Sequence, residues 1–131
     1  MFDFSRFLDV GDVLAQVDDE AYVRSAIGRY YYAIFCSVRV YLVEIMNENE
    51  FNDNYNVHQR IYNRLVKSGN NTESSVSEKL NDLRKNRNEA DYDWKNNDFQ
   101  YFKDKLDQSK KESKFAIEQV ESLKKSPPFE F

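Results

Sequence analysis

Proline and glycine are scarce in this chain, two and three of 131 residues. Their scarcity excludes a turn-rich β architecture and predicts long helices joined by few breaks. A single cysteine excludes an intramolecular disulfide. With one histidine and one cysteine there is no run with metal-ligand spacing. A glycine-rich phosphate loop and a Ser-His-Asp set are also missing, so neither a metal nor a cofactor is expected. Nothing near the N-terminus has the pattern of a signal peptide. The longest apolar stretch carries Arg24, Arg29 and Arg39, which excludes a membrane span. A soluble, cytoplasmic protein with no membrane partner is the expectation.

What the chain has in quantity is aromatic and charged residues. Nine tyrosines and ten phenylalanines predict an aromatic rather than a leucine-rich core. The stretch Ala21 to Met46 is apolar on more than one side, and as a helix it spans roughly 40 Å. A surface helix needs one apolar stripe, so this one must be covered on several sides. One of its sides is expected to lie at a dimer interface. Its mid-helix cation, Arg29, is expected to turn inward toward Asp91.

Around this helix the spacing predicts four others. Phe4, Phe7, Leu8, Gly11, Leu14 and Ala15 give a short first helix. Asp18, Asp19 and Glu20 supply the cap and first-turn acids of the long one. Residues 47–54 are turn chemistry, read as an exposed loop. A short helix over residues 58–67 points Val57, Ile61, Tyr62 and Leu65 inward and stops at Ser68-Gly69-Asn70-Asn71. The next helix is expected to open on a capping box, Ser75-x-x-Glu78. Its seam runs Val76, Leu80, Leu83, Arg87, Ala90, a heptad stripe with an arginine in a core slot and Asp91 one turn beyond. A loop from Tyr92 to Asn97 leads to a last helix over residues 98–125, with Phe99, Phe102, Leu106, Ser109, Ser113, Ala116, Val120 and Leu123 inside. The prediction is one all-α domain over residues 1–125, an up-and-down bundle of four or five helices, with a short tail at 126–131.

The net charge of −4 argues against a protein that grips nucleic acid over its whole surface. The charge is unevenly spread. Residues 1–57 hold 4 basic and 10 acidic side chains, whereas 58–92 hold 7 basic and 5 acidic. Phosphate contacts are expected in that basic third. For Arg29, Arg84, Arg87 and Asp91 two roles stay open: a buried salt-bridge network that fixes helix register, or phosphate binding.

Two blocks carry a resemblance. Ser25-Ala26-Ile27-Gly28-Arg29-Tyr30-Tyr31-Tyr32-Ala33-Ile34-Phe35 resembles the "SAI-x-RAYYA-x-F" signature of the HEPN superfamily. Leu83 to Asp93, LRKNRNEADYD, is similar to its "LR-x-x-R-x-x-ADYD" signature. The resemblance covers about residues 5 to 124, with His58 where many such proteins have a histidine opening the third helix. It implies a HEPN-like helical bundle that pairs as a homodimer across a polar cleft. It also implies RNA- or nucleotide-linked work of ribonuclease or toxin ancestry, in a defence or toxin–antitoxin setting, often beside a nucleotidyltransferase-type partner. The alternative it offers is a non-catalytic binding module or regulatory subunit.

Metal-independent RNA cleavage needs a cation on the scissile phosphate and a proton carrier that works near neutral pH. The active motif of the resembled family has Arg, a polar residue, spacers and then His. Arg87-Asn88 matches its start, and Tyr92 stands where the histidine would follow. A tyrosine hydroxyl is a poor general base at neutral pH. The catalytic candidates are therefore Arg87, Asn88 and Tyr92, with Arg29, Arg84, Asp91 and His58 as phosphate-binding or network residues. Cys36, on the small-residue side of the long helix, is expected to be structural.

Overall fold

Asp19 is extended, at φ −145° and ψ 134°, and its carboxylate accepts the Ala21 amide at 2.9 Å. That bond starts the central helix, α2 (Glu20–Val40), which follows α1 (Phe7–Ala15). In the computed structural model, which describes residues 1–129, α2 runs directly into one π-helical turn, Tyr41–Ile45. There the Met46 amide bonds to the Tyr41 carbonyl. Then come α3 (Val57–Lys67), α4 (Asn71–Tyr92) and α5 (Phe99–Lys125). The fold is all-α, with five helices packed together. Glu130 and Phe131, the last two residues of the expected tail, lie outside the described residues.

The long apolar helix is covered as its composition demands. It packs against α1, α4 and α5. Its first half joins α1 and the start of α5 in one core cluster, built on Ile27, Tyr30 and Phe102. Its second half joins α3, α4 and the end of α5 in another, built on Ile34, Leu42, Ile61, Leu83 and Val120. Gly11 is what lets α1 lie close. A Cβ there would stand 2.8 Å from the fully buried ring of Tyr30, whose hydroxyl donates to Asp12 at 2.6 Å. Among the described residues, no helix is long and apolar enough to cross a membrane.

Helix directions follow from the cross-contacts. Arg24 meets the end of α4 and Tyr41 meets its beginning, so α2 and α4 are antiparallel. Asn86 to Ser109 and Ser75 to Gln119 make α4 and α5 antiparallel as well. The expected up-and-down alternation fails between α2 and α3. The chain first climbs back along α2, where Arg39 holds the carbonyls of Phe51 and Asn52. Helix α3 then runs from Phe35, against which His58 stacks, back toward Met46, in the same sense as α2.

The segment expected as an exposed loop contains a 3-10 turn, Asn49–Asn52, that buries Phe51. One aromatic among polar residues was too weak a periodic signal to show this. The capping box is also displaced. Helix α4 starts at Asn71, and its cap lies five residues before Ser75, where the Asn70 side chain accepts the Glu73 amide at 2.9 Å. Ser75 instead accepts from Lys79 and Gln119 inside the helix. In α3, Val57, Ile61 and Leu65 are buried as expected, while Tyr62 is only half-buried.

Candidate functional site

The arginine that interrupts the α4 seam does not enter the core. Leu83 and Ala90 close the stripe above and below it, and its guanidinium reaches sideways to α2. Nη2 of Arg87 donates to the Tyr32 hydroxyl at 2.6 Å, and Nη1 donates to Oδ1 of Asn88 at 2.9 Å. Nε lies 3.0 Å from Oδ2 of Asp91, an ion pair whose N–H misses the oxygen, so no hydrogen bond forms at Nε. The guanidinium carbon also stands 5.1 Å from the Tyr32 ring centre, 5.6 Å from Tyr92 and 5.9 Å from Tyr31. The fork is thus fixed while one N–H on each terminal nitrogen is left over.

Arg84, one turn earlier on the same helix, makes neither an ion pair nor a hydrogen bond among the described residues. It faces His58 from α3, and together with Tyr31, Tyr62 and Asn81 they line a cavity of about 20 Å³, room for one water. Arg29 flanks Tyr32 from the other side, 5.4 Å from its ring and 5.0 Å from that of Phe7. It does not turn toward Asp91, as the sequence led us to expect. Asp91 instead lies over Gly28, and Arg87 from its own helix supplies its cation. A residue one turn away competes better than one that must reach across a helix pair.

His58 stacks on Phe35 at 3.9 Å between ring centres and on Tyr31 at 5.7 Å. Burial first, then the charges of Arg84, Arg87 and Arg39, pull its pKa down to about 4. Burial also holds the Tyr31 hydroxyl well above its ordinary value, so it keeps its proton. That hydroxyl makes a close hydrogen bond to Nδ1 of His58 and has no other acceptor among the described residues. At neutral pH the imidazole is therefore uncharged and a poor proton acceptor. Cys36 is half-buried, and burial pushes its thiol up against the pull of Arg39 and Arg29, which suits a structural residue.

The structure thus gathers Arg29, His58, Arg84, Arg87, Asn88, Asp91 and Tyr92 along one face between α2, α3 and α4. Sequence spacing did not reveal Tyr31 and Tyr32, which position His58 and Arg87. Tyr31 is fully buried and Tyr32 half-buried on α2, and in the sequence both read as core. Among the described residues no group of three His, Cys, Asp or Glu is arranged to hold a metal ion.

The histidine makes one prediction. Its folded pKa of about 4 lies below the ordinary value of about 6.5. Between these values the unfolded chain binds more protons, so this stabilisation is complete above pH 6.5 and is lost as pH falls toward 4. A His58→Phe variant, which keeps the stack on Phe35, should gain on the parent protein by about 1–2 kcal/mol between pH 7 and pH 4, allowing for solvent screening. Denaturant unfolding of both proteins at the two pH values measures it. A constant difference would contradict the assignment.

Comparison of the chain with family models, with curated proteins and with solved structures gives no match.

Proposed function

We propose that this chain is a HEPN-like helical domain of ribonuclease ancestry that binds RNA phosphates through Arg84 and Arg87 and does not cut the strand. The observation that carries the reading is the pairing of a fixed fork with a free one. Arg87 is held by Tyr32 and Asn88, and Arg84 beside it has no carboxylate or hydrogen-bond partner among the described residues. Guanidinium forks match phosphate oxygens, and a fork held in place loses less freedom on binding. Arg29, which flanks Tyr32, adds a third guanidinium along the same face. Three cations there accompany one carboxylate, Asp91.

Cleavage needs a proton acceptor near the phosphate. Tyr92 is 68% exposed, and burial with the charges of Arg84, Arg87 and Arg39 holds the His58 pKa down to about 4, so neither is set up for that role. On this reading Asn88 and Tyr92 serve binding and positioning. Pairing with a second copy, a nucleotidyltransferase-type partner and a toxin–antitoxin or defence setting are part of the proposal through the family resemblance alone.

Incubating the protein with labelled RNA in the presence of chelator tests it. RNA retained by the protein and recovered at full length is the expected outcome. Cleavage by the parent protein that disappears in Arg87→Ala would overturn the binding-only reading in favour of a ribonuclease.

A further inference from the structure

The connection from α4 to α5 is held unusually firmly for a short surface loop. The guanidinium of Arg24, on α2, donates to three carbonyls: Ala90 at 3.2 Å, Asp93 at 2.9 Å and Asn96 at 2.9 Å. It lies over the Phe102 ring at 3.8 Å, so packing fixes it as well as hydrogen bonding. Asp93 caps the turn through the Lys95 and Asn96 amides, Asn96 accepts the Asp98 amide, and the Trp94 amide bonds to the Tyr92 carbonyl.

All of this order is spent on the backbone. The indole of Trp94 is 79% exposed. A loop serving only to join two helices gains by laying its one large apolar side chain on the bundle, since burying that area is favourable. This loop instead holds Trp94 out in water, and Tyr92, the last residue of α4, is exposed as well. Each has a cation at its ring: Lys95 Nζ is 5.4 Å from the Trp94 ring centre, and Arg87 is 5.6 Å from that of Tyr92.

Exposed aromatic rings beside cations, one of them the fixed Arg87 and the other the exposed Lys95, suit a ligand that carries flat π faces and negative charge in alternation. Unpaired nucleotides have that chemistry, because stacking on aromatic side chains accepts any base while basic residues follow the backbone. In a duplex the base faces are already stacked on one another and out of reach of a loop. We infer that the site takes single-stranded RNA, with bases stacked on Trp94 and Tyr92 and the adjoining phosphates on Arg87 and Arg84. The inference rests on the phosphate-binding role proposed for those arginines and adds to it the strandedness of the substrate.

Trp94 is the only tryptophan, so its emission reports this loop alone. The test is a titration of the protein with an unstructured RNA oligonucleotide and with the duplex of the same sequence. Trp94 fluorescence and the anisotropy of a labelled RNA are read together. The expected result is quenching of Trp94 by the single strand, duplex binding weaker by about tenfold or more, and a similar loss for Trp94→Ala with Trp94→Phe restoring most of it. The Tm of each variant should match that of the parent protein, since the indole is 79% exposed.

RNA binding that needs Arg87 but leaves Trp94 emission and the Trp94→Ala affinity unchanged would overturn the stacking inference and leave the phosphate site standing. Emission that shifts with protein concentration and not with RNA would overturn it too, by assigning the loop to a contact between copies. Binding of neither RNA form would overturn the phosphate site itself.

Discussion

Replacing Arg64 by alanine should cost about 3 kcal/mol of folding stability, a fall in Tm of roughly 10 °C for a domain of this size. Arg64 reaches from α3 between two carboxylates. Nε and Nη2 grip Glu48 at 2.6 and 2.8 Å, and Nη1 donates to Glu73 at 3.0 Å. The Tyr41 hydroxyl, in the π turn, closes the set by donating to Glu73 at 2.6 Å. Burial works against the Arg64 charge, yet the bonds to Glu48 and Glu73 more than compensate, and its pKa is raised. Glu73 is the residue at stake, because it is only 1% exposed. Without Arg64 its carboxyl group is left buried with the Tyr41 hydroxyl as its one remaining side-chain partner.

The double change Arg64→Met with Glu73→Leu should recover part of the loss, since it removes the stranded carboxyl group together with its partner. Thermal melts of the three proteins check this. Equal Tm values would mean that the network contributes nothing.

That network was not legible in the sequence, and the reason is physical. Glu73 opens a helix, where an acid is ordinarily explained by the helix dipole. Its burial depends on α3 crossing nearby, which no periodicity encodes. What could be read was local and repeated. The 3.6-residue spacing in α2 and α5 located both helices, and the acids at 18–20 located the start of α2. Scarce proline and glycine gave the helical class.

What failed was set by competition between partners. Ser75-x-x-Glu78 matches a capping box, but Asn70 caps α4 first. Arg29 was close enough to Asp91 in an imagined bundle, but Arg87 sits one turn from it on the same helix. The return of the chain along α2 depends on Phe51 finding the core and Arg39 finding two carbonyls, both properties of the folded chain. Of the seven candidate residues, Arg84, Arg87 and Asp91 were legible from the heptad seam, because an arginine there demands a partner, while Asn88, Tyr92 and His58 entered through the family resemblance. The tyrosines that hold them in place were hidden among other core aromatics.

The double variant Arg84→Gln, Arg87→Gln should lower the affinity for single-stranded RNA by about a hundredfold at low salt, near tenfold for each phosphate contact removed. Stability should change little by comparison. Both side chains lie on the partly exposed face of α4, and Asp91, which loses its cation, remains in contact with water. Substitution of Arg87 by lysine should not restore affinity in full. A lysine offers a point charge where Arg87 offers a fork already held by Tyr32 and Asn88. A drop in affinity accompanied by an equal loss of folded protein would reduce the two arginines to structural residues.

The most direct test of the claim that these two guanidiniums hold phosphates is the salt dependence of RNA binding in the parent protein and in the double variant. Each phosphate neutralised releases counterion, so two lost contacts should flatten the slope of log affinity against log salt by about 1.4 for a single strand. Two parallel lines, or an affinity untouched by the substitutions, would contradict it.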